Sequence, residues 1–475
     1  MEVKVKIPGQ VQEILRKFTE AGYEIYIVGG VVRDILLKKQ LYDWDLTTNA
    51  TPEEIQKIFP DSFYDNKYGT VGIPNITPPN PPLNPSGGRY IDVSNRPVEI
   101  TTFRTEHGYS DSRHPDKVVW GKTLEEDLER RDFTVNAMVL RLRSGSSTLR
   151  QTPSFELIDL HGGYQDLQDK LIRAVGDTNK RFEEDALRMM RAVRIATQLQ
   201  FAIEEETFAA IKDNAAKIQN ISAERVRDEL FKMLAADYPA DGYLLLRNCG
   251  LAEQILPELE KAFGVEQKSP GRHHIYDVGT HSVQSLRYCP SPDPVTRLAT
   301  LIHDVGKIKT QRIHPDGTIT FYNHEMESTK IAEKIAERLR FSNSQKDKFT
   351  RLVRWHQFTV DERQTDSAIR RIIKNVGAEN IPDMLALRTG DRLGGGARET
   401  SWRLEEFKQR LIEVQKQPFV IPDLKINGHD VMEIKNVSAG PMVGAYLEAI
   451  FKEVTEMGLA NEREVLLDKL KIMEL

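Results

Sequence analysis

The sequence has little cysteine, little net charge and no long apolar run. Cys249 and Cys289 are its only cysteines, too few for a disulfide framework, and they favour a reducing, cytoplasmic location. No apolar stretch reaches the roughly 20 residues that span a bilayer, so we expect no membrane partner. Charged residues interrupt the first 20 positions, and we expect no signal peptide. The net charge is −5, so any nucleic-acid binding must come from local basic patches.

A length of 475 residues predicts several domains. Residues 1–148 alternate between short apolar segments typical of strands and segments with helical spacing of apolar residues, whereas the chain beyond residue 150 has mainly helical spacing. We therefore predict the α+β class, with a mixed N-terminal domain followed by all-α domains. The predicted strands are 25–28, 98–103 and 136–142, and the predicted helices include 9–20, 31–38, 52–59, 181–200, 205–217 and 223–236.

The segment from Ile73 to Pro97 is rich in proline and contains Gly87-Gly88. Proline donates no backbone hydrogen bond, so such a segment cannot hold a sheet ladder. We predict an exposed extension of a hairpin between strands at 68–73 and 98–103, and we assign it no function.

The most informative stretch is residues 29–45, which begins with Gly29-Gly30 directly after the apolar strand 25–28. Glycines at a strand-to-helix turn let the backbone approach a phosphate, and a helix N-terminus favours anions. Asp43 and Asp45 would project from one face if both lie on a strand, about 6.5–7 Å apart along the chain. Carboxylates so placed can hold two Mg²⁺ ions for an in-line phosphoryl displacement. The alternative is a glycine turn followed by a solvated acidic loop.

Three segments resemble one family. The stretch Gly29 to Asp45 resembles motif A of the class II tRNA nucleotidyltransferases and bacterial poly(A) polymerases, 130–137 resembles motif B, and 184–194 resembles the nucleotide-selecting motif D. The resemblance covers about residues 1–270 and implies a polymerase-β-like head followed by a helical neck and body. It also implies the activity: C, C and A added from CTP and ATP to the tRNA 3′ end, without a template and with release of pyrophosphate.

The resemblance implies roles for individual positions. Asp43 and Asp45 would be catalytic and hold Mg²⁺. Glu99 is placed to add a third carboxylate, although a charged residue on an edge strand is an alternative explanation. For Arg130-Arg131 the alternative is an ordinary basic surface pair. The implied nucleotide-binding positions are Gly30, Arg33, Arg131, Asp132, Asn136, Asp185, Arg188, Arg191 and Arg194.

Asp185 and Arg188 are three residues apart, and on a continuous helix they would be neighbours on one face. A carboxylate beside a guanidinium complements the amino donor and ring-nitrogen acceptor that cytosine and adenine share. Guanine and uracil present the reverse pattern, so the pair can select C and A. The alternative is an intrahelical ion pair on a solvated face, worth about 0.3–0.5 kcal/mol.

Residues 104–120 are polar and are predicted to form a loop. In the family, a loop at this position is associated with the switch from CTP to ATP. Its presence favours full CCA addition over addition of C alone. A poly(A) polymerase shares the core motifs and remains an alternative.

A second set of residues lies within 271–395. Adjacent His and Asp side chains suit a metal ion when further ligands come from other helices. Their order resembles the HD phosphohydrolase superfamily and implies a divalent transition metal or Mg²⁺, with activity on RNA 3′ ends such as 2′,3′-cyclic phosphates. The predicted ligands are His281, His303, Asp304, His324, His356 and Asp391.

These predictions combine into four domains: a nucleotidyltransferase head at 1–148, a neck and body at 149–270, an HD domain at 271–395 and a helical tail at 396–475. The expected partners are the tRNA 3′ end, CTP and ATP, and no protein partner can be inferred. One further alternative is an HD-type phosphohydrolase whose head is a degenerate nucleotide sensor. The intact pair Asp43 and Asp45 argues against it.

Overall fold

The computed structural model divides the chain into two compact units, Met1–Ile255 and Leu256–Leu475. Among the described residues, no helix combines the length and apolar character needed to cross a bilayer. The division of the chain into four domains stays a prediction. The structure describes residues 1–41, 43–65, 70–74, 97–107, 117–121, 123–143, 153–267, 276–358, 364–398, 401–414, 421–457 and 459–474.

The first unit contains a mixed sheet. Its strands run in the order β1-β10-β9-β2-β3-β6-β5-β4, where all neighbours are antiparallel except the parallel pair β3 and β6. Strands β7 and β8 form a separate antiparallel ribbon. Among the described residues of both units, the strands are β1 Glu2–Lys4, β2 Ile25–Val28, β3 Asp45–Thr48, β4 Phe63–Asp65, β5 Thr70–Ile73, β6 Val98–Thr102, β7 Arg104–His107, β8 Lys117–Trp120, β9 Met138–Leu142, β10 Ser154–Asp159, β11 Leu171–Ile172, β12 Ala202–Ile203, β13 Arg312–Ile313 and β14 Ile319–Thr320.

Helices flank this sheet and dominate the remainder of the chain. Those of the first unit are α1 Gly9–Glu20, α2 Gly30–Leu36, α3 Pro52–Ile58, α4 Leu124–Glu129, α5 Gly163–Gln168, α6 Thr178–Glu184, α7 Leu187–Leu199, α8 Glu205–Asn214, α9 Ala223–Leu234, α10 Pro239–Asn248 and α11 Leu251–Ile255. Those of the second are α12 Pro257–Glu260, α13 Val278–Tyr288, α14 Pro294–Ile302, α15 Lys307–Thr310, α16 His324–Arg338, α17 Asn343–Trp355, α18 Asp366–Val376, α19 Ile381–Gly394, α20 Trp402–Val414, α21 Gly428–Lys435, α22 Pro441–Glu456 and α23 Arg463–Ile472. Short 3₁₀ turns cover Thr134–Asn136, Ala215–Asn220, Ala378–Asn380 and Ile421–Asp423.

The α+β prediction is confirmed. Strand β2 and helix α1 have the predicted bounds because their apolar residues follow the periods of their elements: β2 is buried throughout, and α1 buries Val11, Ile14, Leu15 and Phe18 on one side. Helix α3 begins at a capping box, in which Thr51 and Glu54 satisfy each other's backbone N–H groups. The prediction of an all-α chain from residue 149 is wrong, because β10 joins the main sheet, β11 pairs with β12, and β13 pairs with β14.

The structure also bears on the predicted hairpin, on the predicted loop at 104–120 and on the predicted helix at 181–200. The strands flanking the proline-rich segment pair antiparallel, with Ile73 opposite Val98, as expected for a hairpin; its residues 75–96 lie outside the described residues. The prediction of a loop throughout 104–120 is wrong at both ends, which form β7 and β8, and 108–116 lie outside the described part. The predicted helix 181–200 is two helices, α6 and α7, with a break at Asp185.

Candidate functional site

The turn after β2 is built from Gly29, which has φ 81° and precedes α2. This backbone conformation strains any residue with a side chain. A Cβ atom at Gly29 would lie 3.5 Å from Arg131 Nη1 and 3.6 Å from Asp45 Oδ2. The turn therefore lies beside both a guanidinium and a carboxylate. At Gly30, a Cβ atom would lie 3.4 Å from Arg33 Nη2, so this guanidinium folds back over the turn.

Carboxylates collect beside this turn. Asp45 is the first residue of β3, and its register partner in the parallel neighbour β6 is Glu99. Paired positions on adjacent strands present their side chains on the same face. Both residues are exposed to solvent, and Asp43 lies two positions before the strand. The prediction that Asp43 and Asp45 share a strand is therefore wrong, because β3 begins only at Asp45.

The carboxylates influence one another. Desolvation by neighbouring atoms and the charge of Glu99 raise the pKa of Asp45 to about 6, with a further contribution from Asp43 and opposition from Arg131 and Arg191. Asp45 is solvent-exposed as a residue, so this desolvation reflects the atoms packed around its carboxylate. A site that disfavours its own negative charge in this way is suited to a bound cation.

Arg131 is held by a carboxylate that the sequence analysis missed. Asp127 is fully buried in α4 and accepts hydrogen bonds from Arg131 Nη2 at 3.0 Å and from Arg130 Nε at 3.0 Å. Thr47 of β3 donates to the same carboxylate at 3.3 Å. Burial alone would raise the pKa of Asp127, but the two guanidiniums lower it. Both arginine side chains are 17% exposed, so the explanation of Arg130-Arg131 as an ordinary surface pair is wrong.

A chain of hydrogen bonds joins motif A to motifs B and D. Arg33 donates to Asp34 at 2.9 Å and to Asn136 Oδ1 at 2.8 Å. Asn136 in turn donates to Asp132 Oδ1 at 3.1 Å, and Arg191 of α7 donates to Asp132 Oδ2 at 2.6 and 2.8 Å. Burial would raise the pKa of Asp132, but the Arg191 guanidinium lowers it below its ordinary value. Four of the predicted nucleotide-binding residues thus form one connected network.

The motif D residues are placed differently from the prediction. Asp185 caps the end of α6 in an extended conformation, and its carboxylate accepts hydrogen bonds from the Leu187 amide at 3.0 Å and from Arg225 Nη2 at 2.7 Å. Because the helix breaks there, the assumption that Asp185 and Arg188 share a helical face is wrong, and so is the alternative of an intrahelical ion pair between them.

Arg188 is the second residue of α7 and is nearly buried, with 11% of its side chain exposed. It donates to Glu184 at 2.8 Å and to the backbone carbonyls of Arg181 and Arg130. Arg194 lies further along α7 and donates to Glu229 of α9 at 2.6 Å. This last contact joins two helices and is separate from the network around Asp132.

In the second unit, the structure brings the predicted metal-ligating residues together from five places. His281 lies on α13, His303 and Asp304 follow α14, His324 begins α16, His356 follows α17 and Asp391 lies on α19. Asp304 Oδ1 lies 3.1 Å from His324 Nε2 and 3.6 Å from His356 Nε2. Asp391 Oδ1 lies 3.2 Å from His281 Nε2 and 3.7 Å from His303 Nε2. We call these residues the His/Asp cluster.

Hydrogen bonds fix the imidazoles of the cluster. The Nδ1 atoms of His303, His324 and His356 lie 2.6, 2.9 and 2.7 Å from the backbone carbonyls of Thr300, Phe321 and Val353. A carbonyl only accepts, so each Nδ1 carries the proton and each Nε2 lone pair faces the cluster, as in histidines that bind metals. Two sets of three, His281 with His303 and Asp391, and His303 with Asp304 and His356, hold their ligand atoms within 4.8 Å of one another.

Charges in the cluster also suit a cation. Burial would lower the pKa of His303, but the Asp304 and Asp391 carboxylates overcome this and raise it to about 10. The surroundings therefore stabilise positive charge where the imidazoles meet. Lys307, which the sequence analysis did not single out, donates to Asp304 at 2.6 Å and to Gln267 at 2.9 Å.

Small residues allow this assembly. A Cβ atom at Gly390 or Gly394 of α19 would lie 2.5 Å from a backbone atom of Ser285 in α13. The close crossing of the two helices brings Asp391 to His281. A Cβ atom at Gly306 would likewise lie 2.1 Å from the His324 carbonyl oxygen. The glycines of Asp304-Val305-Gly306 and Thr389-Gly390-Asp391 are the sequence signals that could have indicated these contacts.

Family models match three parts of the chain. Residues 25–173 match the "Poly A polymerase head domain", residues 200–263 match the "Probable RNA and SrmB- binding site of polymerase A", and residues 316–470 match "tRNA nucleotidyltransferase domain 2". The first match includes the glycine turn, the carboxylates and the network around Asp132 except Arg191.

Relatives of the chain are CCA-adding enzymes. The chain is 42% identical over 243 residues to that of Lactobacillus helveticus, covering 51% of the chain and 54% of the relative, and 44% identical over 250 residues to that of Limosilactobacillus reuteri, covering 52% and 55%. The chain thus spans about half the length of these relatives. The CCA-adding enzyme of Lactiplantibacillus plantarum aligns over 98% of the chain and 97% of its own length at 29% identity.

Solved structures are similar over nearly the whole chain. The Bacillus stearothermophilus CCA-adding enzyme in complex with CTP has a TM-score of 0.63 and 26% identity, with 98% of this chain and 97% of that one covered. The Thermotoga maritima CCA-adding enzyme complexed with tRNA has a TM-score of 0.58 at 19% identity, covering 99% and 98%, and shows likeness of fold alone. The chain is therefore similar to CCA-adding enzymes in its domain matches, in its sequence and, over nearly its whole length, in its fold.

Proposed function

We propose that the chain adds C, C and A to the 3′ end of tRNA from CTP and ATP. The observation that carries this proposal is the arrangement around Gly29, where Asp45 and Glu99 lie on paired strands and the Arg131 guanidinium lies beside the same turn. A negative cluster next to a fixed guanidinium suits a triphosphate that carries divalent cations. The relatives named above support tRNA as the acceptor.

The donor set fits Mg²⁺. Asp43, Asp45 and Glu99 offer hard carboxylate oxygens, and desolvation together with the charges of Glu99 and Asp43 raises the pKa of Asp45. When bound, such ions lower the pKa of the attacking hydroxyl and neutralise charge on the leaving phosphates. Asp43 and Asp45 are the proposed principal ligands, and Glu99 is the proposed third.

The remaining residues would bind and orient the nucleotide. The Gly29-Gly30 backbone has no side chain to keep phosphates away, and Arg131, anchored by Asp127, would bind phosphate oxygens. The network of Arg33, Asn136, Asp132 and Arg191 would hold motif B rigidly against the turn. Asp185 and Arg188 would select the base. A carboxylate has about four acceptor sites, so Asp185 keeps capacity for a base amino group beside its contact with Arg225.

Poly(A) addition is the main alternative, since the head domain model is that of a poly(A) polymerase. Purified full-length protein incubated with tRNA lacking its 3′ CCA, and with each labelled nucleoside triphosphate in turn, separates the two. Incorporation of CTP and then ATP followed by arrest supports CCA addition, whereas continued incorporation of ATP overturns it in favour of poly(A) addition. The Asp45→Ala variant serves as the inactive control.

We propose a second activity for the His/Asp cluster, hydrolysis of a phosphate ester at an RNA 3′ end. The specific observation is the meeting of four imidazoles and two carboxylates, with three Nε2 lone pairs fixed by backbone carbonyls. This donor set fits a divalent transition metal or Mg²⁺, which when bound would supply Lewis acidity. Lys307, beside Asp304, would hold the substrate's phosphate charge. Release of inorganic phosphate or opening of a 2′,3′-cyclic nucleotide by the metal-loaded protein tests it, and inactivity across divalent metals would overturn it.

A further inference from the structure

A second cavity adjoins the one at the His/Asp cluster. The cluster's cavity has a volume of about 570 Å³ and includes Gln357 and Arg388 in its walls. The same two residues line the neighbouring cavity of about 660 Å³, together with Phe358, Arg392, Ser401 and Arg403. We call the second one the arginine pocket. Its volume falls within the range of about 300–1,000 Å³ typical of small-ligand sites.

The arginine pocket is strongly cationic. Arg388, Arg392 and Arg403 line it, and no acidic side chain is among the lining residues within the described ranges. Arg388 and Arg392 are four apart on α19 and so share one helical face, while Arg403 comes from α20. Repulsion among these guanidiniums raises the free energy of the folded protein, and an anion bound between them would lower it.

The guanidiniums are positioned by protein contacts. Arg388 donates to Asp391 of the His/Asp cluster at 3.1 Å, and its buried Nε has no hydrogen-bond partner within the described structure. Arg392 donates through Nε and Nη2 to the Arg398 backbone carbonyl at 3.3 and 3.1 Å. Arg388 thus connects the two cavities, and the contact with a backbone carbonyl orients Arg392.

An aromatic wall completes the pocket. The Arg388 guanidinium lies 5.5 Å from the centroid of the Phe358 ring. Phe407 stacks on Phe358 at 5.3 Å with an interplanar angle of 25°, which holds that ring in place. Aromatic rings and guanidinium planes are the surfaces on which unpaired bases of single-stranded RNA stack.

We propose that the arginine pocket binds the nucleotide that precedes the 3′-terminal residue of an RNA whose terminal phosphate lies at the His/Asp cluster. The arginines would contact the phosphodiester, and the base would pack against the wall that Arg388 and Phe358 form. This inference rests on the proposed hydrolase activity and deepens it, because it makes the substrate an oligoribonucleotide end rather than a free mononucleotide.

The test compares two substrates of full-length, metal-loaded protein: a 2′,3′-cyclic mononucleotide and a tetraribonucleotide ending in a 2′,3′-cyclic phosphate. In the Arg392→Ala/Arg403→Ala variant, the ratio of kcat/KM for the tetramer to that for the mononucleotide should fall at least about tenfold, the scale of losing charge-assisted contacts. Lys408→Ala is the matched control, since Lys408 lies on α20 with Arg403 but does not line the pocket. An unchanged ratio in a folded double variant overturns the proposal.

A binding measurement separates failure of the pocket from failure of the hydrolase proposal. A fluorescent tetraribonucleotide with a 3′-phosphate is titrated in EDTA, where no hydrolysis is needed, at several salt concentrations. Loss of the contacts with this one phosphodiester should reduce the slope of log affinity against log salt by about 0.7, the value per neutralised phosphate for single strands. If wild-type protein hydrolyses neither substrate, the hydrolase proposal fails. The salt slope still tests whether the arginine pocket binds RNA. An equal slope in wild type and the double variant overturns the pocket.

Discussion

Asp45 of β3 and Glu99 of β6 occupy paired positions on adjacent parallel strands. Strand β6 lies between β3 and β5, so the explanation of Glu99 as a charged residue on an edge strand is wrong. The two carboxylates share one face of the sheet, and desolvation together with the charge of Glu99 raises the pKa of Asp45. Two adjacent carboxylates on central strands of a sheet reduce the stability of the fold, and such a loss is expected where a function uses their combined charge.

Asp45→Asn should abolish incorporation of every nucleotide and should stabilise the metal-free fold at neutral pH. The folded pKa of about 6 exceeds the ordinary value of 3.8. Ionisation of Asp45 therefore lowers the free energy of unfolding of the wild-type protein as the pH rises through this interval. Thermal unfolding in EDTA should therefore give the variant the higher Tm at pH 7.5 and an equal Tm below pH 4. A variant that keeps more than about a tenth of wild-type activity, a loss under 1.4 kcal/mol, would refute the catalytic assignment.

Glu99→Gln should lower the pKa of Asp45, because a neighbouring negative charge is removed while the side-chain shape is kept. The carboxyl titration can be followed by ¹³C NMR in metal-free protein. The rate of nucleotide addition should fall at least about tenfold, as expected for loss of a metal-site partner. Glu53→Gln, an exposed residue of α3, is the control. Unchanged titration and unchanged rate together would remove Glu99 from the site.

Asp185→Ala should reduce the discrimination of CTP and ATP against UTP and GTP. It removes the acceptor for the amino group and the repulsion against a carbonyl, and a buried polar mismatch is worth about 1–3 kcal/mol, equivalent to one to two orders of magnitude. The kcat/KM values for all four triphosphates on truncated tRNA measure the effect. Arg225→Ala is the control, because Arg225 holds the Asp185 carboxylate. If both variants lower all four values in proportion, Asp185 is only the structural partner of Arg225.

The contrast between β2 and Asp185 shows what the sequence could predict. Strand β2 and helix α1 follow the apolar periods of their residues, so their bounds were predictable. The break between α6 and α7 was not, because the residues around it keep helical apolar spacing. Asp185 ends α6 in an extended conformation and caps the Leu187 amide with its side chain, a local competition with the helix that spacing does not reveal.

Local sequence patterns also could not predict which side chains contact each other in the folded protein. Asp127 was not singled out as the residue that anchors Arg131, because nothing in the acidic run around it distinguishes the one buried carboxylate. Lys307 follows a recognised His-Asp pair, yet its bond to Asp304 depends on the turn at Gly306. The arginine pocket depends on how α19 and α20 pack, which no motif encodes.

Asp132→Asn should destabilise the fold at neutral pH. Breaking a buried ion pair costs about 3–5 kcal/mol, but Arg191 is 37% exposed, so solvent screening reduces the expected loss to about 1–3 kcal/mol. The pKa of Asp132 lies below its ordinary value, so its contribution is present above about pH 4 and is lost as the pH falls further. The gap in Tm between wild type and variant should therefore shrink on acidification.

The control for this prediction is Asp228→Asn, an exposed carboxylate of α9 with 54% of its side chain accessible. Its effect should stay within about 0.5 kcal/mol. A constant gap in Tm between the Asp132→Asn variant and wild type from pH 7 to pH 3 would contradict the ion-pair explanation.

His303→Ala/Asp304→Ala should remove metal binding and phosphate-ester hydrolysis while nucleotide addition stays nearly intact. The two sites use different side chains in different compact units, and Asp304 contacts all four imidazoles of its cluster at 3.1 to 3.6 Å. Bound metal per chain is measured by mass spectrometry, beside both activities. The two substitutions lie close in sequence to Gly306, which packs tightly against α16. Circular dichroism therefore verifies that the double variant is folded. Loss of nucleotide addition in a folded double variant would show that the two sites are coupled.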